Sequence, residues 1–404
     1  MSSSGLVYAS FDRFPAPKGA AVHIRAFVEA LAAAFGDVEL LAIGGDAELS
    51  PLEGVRFHPL GARGPDLIQQ ALCFRNELAA WWRGREKASV VHVRSIYEGY
   101  PIARRKEQLT EHLVFEVNGL PSIELKYHSP AVADDAELLR KLVAQEDYCL
   151  SRADLVLTPS GVTARYLETR GVAPGRIRVI PNGVDTGLFS YEAPRPWTER
   201  PVRLLYSGTM TSWQGVHHAI EACRLLRRDG PVHLTLVGPT RGRQRHELMD
   251  LCGELWTEGA VALLDALPQA ELARLHRACD VVLVPLPPND RNLVQGCCPL
   301  KLLEAMASGT PVVASDLPVV RALAEPGAHA LLVRPGSPKA IAEAVRALRS
   351  DPTLGPGLSQ RARARVERDF TWARAGEALV TAYEEAFGWV RSSTRRSTRA
   401  SASA

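Results

Sequence analysis

The chain has 404 residues, which is too long for one ordinary hydrophobic core and predicts two large domains. A hydrophobic content of 46% with 23% charged residues is typical of a globular protein, and a net charge of +3 is too small to indicate nucleic-acid binding. No apolar run approaches the roughly 20 residues that cross a bilayer, and the first residues lack the basic and apolar regions of a signal peptide. The seven cysteines include no CxxC pair, which favours reduced thiols. We therefore expect a cytoplasmic protein.

In the first half of the chain, short apolar runs rich in β-branched residues alternate with helical patterns. The clearest helical pattern is 20–35, where apolar residues recur at helical spacing. Alternation of this kind predicts a parallel sheet that is covered by helices on both faces. The predicted strands are 6–9, 38–43, 90–93, 113–117, 155–158 and 177–180.

The same alternation restarts after a charged segment with prolines near 191–201. The predicted strands of this half are 202–206, 233–237, 261–264, 281–284, 312–314 and 330–333. We therefore predict an α/β protein with two doubly wound, Rossmann-like domains, 1–190 and 191–370. A final helical segment, 371–388, is expected to pack back on the first domain, and the serine- and arginine-rich tail 389–404 is expected to be disordered.

The most informative segment is 298–314, Cys-Pro-Leu-Lys-Leu-Leu-Glu-Ala-Met-Ala-Ser-Gly-Thr-Pro-Val-Val-Ala. Pro299 suits a helix start, and Gly309 followed by a proline suits its end. The free N–H groups at such a helix start could hold a diphosphate, Lys301 could add charge, and Glu304 could accept hydrogen bonds from sugar hydroxyls. The segment alone is equally compatible with an ordinary helix and strand of an α/β core.

Three strand ends run into glycine turns that let the backbone approach a ligand. The first is the loop 11–21, which contains Lys18-Gly19-Ala20. The second is Ser207-Gly208-Thr209-Met210-Thr211-Ser212-Trp213-Gln214-Gly215, and the third is Val237-Gly238-Pro239. One such loop is often a plain turn between a strand and a helix, but three at three strand ends favour a binding site.

Together these motifs resemble the retaining glycosyltransferases of family four, which have the GT-B fold of two facing Rossmann-like domains with a cleft between them. The resemblance spans most of the chain and includes the Trp-Gln-Gly and Pro-Leu-Lys sequences of a subgroup. The motifs that carry it are Lys18-Gly19-Ala20 with the following His23, Ala153-Asp154, Pro159-Ser160, Pro181-Asn182-Gly183-Val184-Asp185, 208–215, 236–238 and 299–314.

The resemblance implies that the second domain binds a nucleotide diphosphate-sugar, with Glu304 on the ribose and Gly19 and Gly208 facing the phosphates. The family usually has a glutamate for the donor sugar eight residues before Glu304, and this chain has Gly296 there. We therefore expect backbone N–H groups of residues 296–298, or other side chains, to contact the sugar. The expected donor-binding residues are Gly19, Gly208, Thr209, Gln214, Gly238, Gly296, Cys297, Cys298, Leu300, Lys301 and Glu304.

The family usually neutralises the diphosphate with an arginine and a lysine from the first loop of the second domain. The matching residues here are Thr209 and Gln214, neither of which is charged. We propose that Lys301 supplies the missing charge, with Arg291 as a helper. The donor could be a UDP-, GDP- or other nucleotide diphosphate-sugar, and we expect no cofactor.

In the first domain, Asn118 stands where many relatives carry a histidine near the reacting sugar. An amide cannot act as a base at neutral pH. Glu116 lies on the same face of the strand, so either side chain could point toward the substrate. Retention in this family is thought to need no protein nucleophile, because the departing phosphate takes the acceptor proton. The residues expected at the reaction are Asn118, Glu116 and Lys301, and the absence of an Asp-x-Asp pair favours a mechanism without a metal.

The acceptor is expected to be a hydroxyl of a glycan, a lipid-linked molecule or a small molecule. Its candidate contacts are His23, Arg94, Glu98, Glu124 and Lys126, for each of which a structural role is the alternative. The segments 81–87 and 104–106 are basic, and the first contains Trp81 and Trp82. They could rest on the inner face of an anionic membrane, or they could be an ordinary solvated face. Trp82 also continues an apolar stripe that includes 67, 68, 71, 72, 78 and 79.

The leading hypothesis is a retaining, metal-independent glycosyltransferase of polysaccharide biosynthesis that transfers a hexose-type sugar. One alternative is a nucleotide-sugar isomerase or epimerase on the same fold. That chemistry would need acid and base groups around the sugar, which Gly296 and Asn118 do not supply. The other alternative is a nucleotide-sugar-binding scaffold subunit with little turnover. The departures from the family pattern at residues 209, 214 and 296 are compatible with this alternative.

Overall fold

A computed structural model describes residues 5–45, 50–130, 133–196, 201–240 and 242–391. These residues form two compact units, each built from one parallel sheet and its helices. The first unit consists of the described residues of 1–159, 164–180 and 373–391, and the second consists of those of 160–163 and 181–372.

The first unit contains a seven-stranded parallel sheet with the strand order β3-β2-β1-β4-β5-β6-β7. Its strands are β1 Leu6–Phe14, β2 Val38–Gly44, β3 Val55–Leu60, β4 Ala88–Val93, β5 Thr110–Glu116, β6 Leu155–Thr158 and β7 Ile177–Val179. Its helices are α1 Gly19–Phe35, α2 Leu67–Trp81, α3 Ile96–Arg104, α4 Lys106–Leu109, α5 Pro121–His128, α6 Ala136–Arg152 and α7 Gly161–Thr169. Most central strands are buried nearly throughout, as expected for a parallel sheet covered on both faces.

The second unit contains a six-stranded parallel sheet with the order β10-β9-β8-β11-β12-β13. Its strands are β8 Val202–Ser207, β9 Val232–Val237, β10 Val261–Leu264, β11 Val281–Val284, β12 Val312–Ser315 and β13 Leu331–Val333. Its helices are α8 Val216–Leu226, α9 Arg243–Cys252, α10 Glu254–Thr257, α11 Gln269–Ala278, α12 Leu300–Ser308, α13 Pro318–Arg321, α14 Pro338–Ser350 and α15 Leu354–Asp369. The two doubly wound, Rossmann-like units confirm the predicted fold class.

In each sheet the first strand lies in the interior, β1 in one unit and β8 in the other. The next two strands in sequence are added on one side of it, and all later strands are added on the other side, so the strand order reverses beside the first strand. Ligands of open parallel sheets bind beyond the carboxyl ends of the strands at this point. The loops that follow β1, β4 and β5 in the first unit, and β8 and β11 in the second, therefore lie at the favoured positions for binding. These loops, together with the first turns of the helices that follow them, contain most of the residues singled out from the sequence.

The last helix, α16 Trp372–Phe387, lies within the predicted helical segment 371–388, and its residues from 373 onward belong to the first unit. The ring of Phe35 on α1 stacks on Tyr383 at 5.9 Å between centroids and contacts Trp389 edge-on at 5.0 Å. Arg391 forms ion pairs with Glu377 on α16. The prediction of disorder is therefore wrong for residues 389–391. The rest of that tail, 392–404, lies outside the described residues.

The boundary between the units falls after residue 180 rather than at the predicted 190. Residues of 181–190 belong with the second unit because they are bonded to it. The backbone of Val184 pairs with Thr371, and the Asn182 side-chain amide donates to the Cys298 carbonyl at 2.8 Å. Phe189 is fully buried in the core of that unit.

The sequence did not predict strand β3, and it misplaced part of the apolar stripe of α2. Strand β3 contains Pro59, which lacks a backbone donor and is tolerated because β3 is an edge strand. On α2, Ile68 and Leu72 are 62% and 54% exposed, while Phe74 takes the expected core position. Trp82 is buried in the core, as the stripe predicted.

None of the helices within the described ranges combines the length and apolar character that a transmembrane span requires.

Candidate functional site

Helix α12 begins where the sequence predicted a phosphate-binding helix. Pro299 precedes it as the N-cap, and no side chain caps its first N–H groups. Gly309 ends the helix in the left-handed conformation, with φ of 83°. The uncapped amide groups and the positive end of the helix dipole favour an anion at this point.

Lys301 lies in the first turn of α12 with its ammonium group buried. Within the described parts of the chain, its Nζ has no hydrogen-bond partner and lies 4.3 Å from the centre of the Tyr206 ring. Burial, together with the nearby charge of Arg291, lowers the pKa of Lys301 to about 7. A buried cation whose hydrogen-bonding capacity is unused is costly, so its position favours a bound anion.

Gly208 makes room for this ammonium group. Its φ is 133°, and a Cβ atom placed there would lie 2.8 Å from the Nζ of Lys301. The loop itself is held by Tyr206, whose hydroxyl donates to the carbonyl of Thr209 at 2.8 Å. Gly238 packs closely on the same loop, since a Cβ there would lie 1.8 Å from the carbonyl oxygen of Gly208. The structure thus brings together Gly208, Gly238 and Lys301, three of the residues that the sequence singled out for donor binding.

Four buried polar atoms in and beside this loop lack hydrogen-bond partners among the described residues. They are Ser207 Oγ, Thr211 Oγ1, His217 Nδ1 and Lys301 Nζ. Buried polar groups in native proteins are almost always paired, so a group of unpaired ones indicates the place of a polar ligand. Sequence analysis had passed over the side chains of Ser207, Thr211 and His217. The available signal was that Ser207 ends a buried strand, and that Thr211 and His217 lie in the loop and the helix that follow it.

The two uncharged residues of the loop differ in exposure. Thr209 is exposed at the tip of the turn, whereas Gln214 is buried and its backbone N–H donates to the carbonyl of Thr211. Gln214 therefore belongs to the frame of the turn that leads into α8. Cationic charge near the loop comes from Lys301 and from Arg291, whose guanidinium lies 4.9 Å from the centre of the Trp213 ring.

Glu304 lies one turn into α12 and is only 7% exposed. The side-chain amide of Gln269, at the start of α11, donates to its Oε1 at 3.4 Å. Burial raises the pKa of Glu304 to about 7, although Gln269 and Lys301 act in the opposite direction. Gln269 was not predicted from the sequence, although it stands shortly after the end of β10.

Gly296 occupies the place of the usual family glutamate, and the backbone there excludes any side chain. Its φ is 82°, and a Cβ would lie 2.6 Å from both the Ser160 and the Thr163 hydroxyl oxygens. Its N–H donates to the carbonyl of Arg291 at 2.9 Å, across a π-helical turn that spans Arg291–Gln295. The expectation that the Gly296 N–H contacts the sugar is therefore corrected, because that donor is already bonded. Cys297 and Cys298, which follow, are both buried.

In the first unit, the carboxylate of Glu116 at the end of β5 is buried among donors. It lies 2.8 Å from the Tyr8 hydroxyl, 2.9 Å from His92 Nε2 and 2.6 Å from His23 Nε2. The Nε of Arg94 lies 3.4 Å away. Burial alone would raise the pKa of Glu116, but the facing His23 and Arg94 outweigh it and hold the pKa well below its ordinary value.

Asn118 lies beside this carboxylate and is half-buried. Its Nδ2 donates to Glu116 Oε1, so the carbonyl oxygen of the amide faces away from Glu116. Asn118 is therefore free to accept a hydrogen bond from a ligand hydroxyl through Oδ1. The sequence left open which of the two side chains faces a substrate, and the structure favours Asn118, with Glu116 beneath it.

Three of the expected acceptor contacts are buried, in two different settings. His23 and Arg94 are buried with Glu116, and Arg94 also forms an ion pair with Asp12. Glu98 is fully buried and caps helix α3, where its Oε1 accepts from the N–H groups of Arg94 and Ser95. The expected acceptor contact at Glu98 is therefore corrected, because its oxygens are used by the cap.

Two further acceptor candidates and one donor candidate lie elsewhere in the first unit. Glu124 and Lys126 lie on α5, and a Cβ at Gly119 would lie 2.5 Å from Glu124 Oε2. Gly19 begins α1, whose N-terminus has no side-chain cap. Gly19 thus lies at a helix start in the first unit, while the other expected donor-binding residues lie in the second.

Comparisons with known proteins agree with this arrangement. Residues 17–188 match the sequence profile described as Glycosyltransferase Family 4, and residues 201–351 match the profile described as Glycosyl transferases group 1. Glycogen synthase from Mycobacterium tuberculosis is 31% identical over 66% of this chain. That alignment covers 62% of the relative, so less than two thirds of its length is matched.

Solved structures of glycosyltransferases share the fold. Sucrose-phosphate synthase from Thermosynechococcus elongatus has a TM-score of 0.77 and 22% identity, with 95% of this chain and 99% of the other covered. Anabaena HepE in complex with UDP and glucose has a TM-score of 0.72 and 16% identity, with 94% and 99% covered. With one family profile on each unit and this shared architecture, the chain belongs to glycosyltransferase family four and has the GT-B fold.

Proposed function

We propose that this protein transfers a sugar from a nucleotide diphosphate-sugar to a hydroxyl of an acceptor, with retention of anomeric configuration and without a metal. The observation that carries the proposal is the buried ammonium group of Lys301 at the start of α12, which finds no hydrogen-bond partner in the described parts of the chain. A diphosphate would pair with that charge and accept from the amide groups and the hydroxyls of Ser207 and Thr211. The bound UDP and glucose of HepE support a nucleotide-sugar as the donor class.

Lys301 would act on the leaving group. As the bond between the anomeric carbon and the diphosphate oxygen breaks, negative charge grows on that oxygen. Two unit charges in contact attract by about 1 kcal/mol in water and several-fold more in a drier site, so a buried ammonium is well placed to stabilise it. The same charge supplies what a divalent metal supplies in other transferases, which supports the metal-independent form of the proposal.

Glu304 would hold the ribose of the donor. Its buried carboxyl, oriented by Gln269, can accept hydrogen bonds from two neighbouring hydroxyls. Gly296 contributes no side chain, so the donor sugar would be recognised by other groups near the start of α12.

The first unit would hold the acceptor side of the reaction. The acceptor oxygen bonds to the anomeric carbon on the face that the diphosphate leaves, and its proton passes to the departing phosphate oxygen. This route needs no side-chain base. Asn118 cannot serve as a base, and neither can Glu116, whose carboxylate already accepts hydrogen bonds from several buried donors. Asn118 would accept from a hydroxyl at the reaction, and Glu116 would hold Asn118 in position.

The test is to incubate the purified protein with UDP-, GDP- and ADP-sugars and to follow thermal stability and donor hydrolysis. We expect one donor to raise the melting temperature and to be hydrolysed slowly, with the released sugar in the anomeric form of the donor when observed at once by NMR. Interconversion of the sugar on its nucleotide would instead indicate an isomerase. Stabilisation without any hydrolysis or transfer would indicate a scaffold subunit.

We also propose that the protein works in the cytoplasm, with peripheral contact at the inner face of the membrane. The exposed Ile68 and Leu72 on α2, and the half-buried Trp81 with Arg85 stacked 3.9 Å from its ring centre, would meet the lipid surface. Trp82 is part of the core and takes no part. Wild type should co-sediment with anionic vesicles, and Arg83→Glu/Arg85→Glu should not; a wild type that stays in the supernatant would refute this contact.

A further inference from the structure

Tyr383 on the C-terminal helix has no role in the proposed reaction, yet its hydroxyl is buried against a polar group. It lies 2.8 Å from Nδ1 of His92 on strand β4. Both side chains are fully buried. The other ring nitrogen of His92, Nε2, lies 2.9 Å from Oε2 of Glu116. An unbroken chain of hydrogen bonds therefore runs from α16 to the end of β5.

The direction of each bond in this chain follows from Glu116. Its carboxylate is surrounded by donors from Tyr8, His23, Arg94 and Asn118, so it is ionised and can only accept. His92 Nε2 must therefore carry a proton.

The other nitrogen of His92 is then fixed as well. Burial lowers the pKa of His92 despite the hydrogen bond and charge of Glu116, so the ring is neutral. A neutral ring with a proton on Nε2 has a bare Nδ1. Tyr383 consequently donates its hydroxyl proton to Nδ1, the one arrangement in which a neutral ring beside an ionised Glu116 satisfies both bonds.

We propose that Tyr383 is a positioning residue for Asn118, which it orients through His92 and Glu116. The Tyr383 hydroxyl fixes the Nε2–H tautomer of His92, the tautomer gives Glu116 a donor on Oε2, and Glu116 holds the Asn118 amide with Oδ1 outward. The inference rests on the proposed function in one respect, which is that Asn118 Oδ1 meets a substrate hydroxyl. The C-terminal helix thus supports the acceptor side of the site from within the same unit.

The first arm of the test uses the wild-type protein and needs no substrate. Its eleven histidines are labelled with ¹⁵N, and the His92 signals are assigned by their loss in His92→Gln. We expect a protonated Nε2 and an unprotonated, hydrogen-bonded Nδ1. In Tyr383→Phe the Nδ1 resonance should move toward that of a nitrogen without a donor. A proton on Nδ1 or on both nitrogens in wild type would overturn the inference.

The second arm compares the kinetics of Tyr383→Phe and Phe387→Leu. Phe387 lies on the same helix, with its ring 5.4 Å from that of Tyr383, and serves as the control for loosened packing. Tyr383→Phe should lower kcat by about tenfold, the worth of one hydrogen bond, with the KM for the donor unchanged. Phe387→Leu should keep a kcat near that of wild type.

The arms separate failure of this inference from failure of the proposed function. Equal kcat values for wild type and a folded Tyr383→Phe variant would overturn the positioning role. A wild type that turns over no donor would refute the proposed function and, with it, the substrate contact of Asn118. The NMR result would still decide whether the chain of hydrogen bonds exists.

Discussion

Lys301 and Glu304, one turn apart on α12, both have pKa values near 7, for opposite reasons. Burial disfavours the charged form of each, which lowers the pKa of the lysine and raises that of the glutamate. The ligand-free protein therefore keeps a cation at this site at a cost to its stability. Such strain at a binding site is common where a ligand supplies the missing partner.

Replacement of Lys301 by methionine should stabilise the ligand-free protein. The folded pKa of Lys301, about 7, lies below its unfolded value of about 10.4, so the destabilising effect is fully present below pH 7 and fades as the pH approaches 10. We expect Lys301→Met to raise the free energy of unfolding by more than about 1 kcal/mol at pH 6 and by much less near pH 10. Urea denaturation at both values measures this. Lys339→Met, at an exposed position of α14, should show no gain, and an equal gain there would contradict the explanation.

Gly296 should not tolerate even a methyl group. Gly296→Ala combines left-handed backbone with a Cβ 2.6 Å from two hydroxyl oxygens, so we expect a loss of about 2 to 4 kcal/mol in the free energy of unfolding. Gly327→Ala is the matched control, because its φ is 70° but a Cβ there would meet nothing within 4 Å. Denaturant titration should show the larger loss at Gly296; equal losses would mean that backbone strain alone matters.

At the level of elements, helix and strand ends place the site, and their local chemistry explains what the sequence did and did not reveal. The start of α12 at a proline and its end at a glycine could be predicted from the sequence, because helix ends have residue preferences. The role of Glu98 could not be predicted, because the sequence does not distinguish a carboxylate that caps a helix after a strand from one that contacts a ligand. Strand β3 was missed because Pro59 breaks the pattern of a strand, and only its edge position makes that proline acceptable.

The cap of α3 can be tested apart from function. Ser95 Oγ accepts from the N–H of Tyr97 at 3.2 Å and donates to Glu98 Oε2 at 2.5 Å. Ser95→Ala should lower the free energy of unfolding by about 1 kcal/mol and leave the donor KM unchanged. The hydroxyl of Ser350 donates to the Arg346 carbonyl in its own helix, so Ser350→Ala should change stability little. A raised donor KM in Ser95→Ala would place this turn in the donor site instead.

At the scale of the whole molecule, the two sheets and the final helix followed from the alternation of apolar runs and helical patterns. Contacts between distant parts of the chain could not be predicted from this alternation. Glu116 meets Tyr8, and His92 meets Tyr383 across 291 residues of sequence, a pairing that no local pattern encodes. The unpaired polar atoms near Gly208 likewise became visible only once burial was known.

The central claim is that Lys301 supplies the charge that binds the donor diphosphate in the second unit. Isothermal titration of UDP, GDP and ADP into wild type identifies the preferred nucleotide. The same titration is then made with Lys301→Ala and with Lys339→Ala, each first shown to be folded by its melting temperature. We predict that Lys301→Ala raises the Kd at least about tenfold, the effect of losing one charge-assisted contact, while Lys339→Ala leaves it unchanged. A Kd in Lys301→Ala equal to that of wild type would contradict the claim.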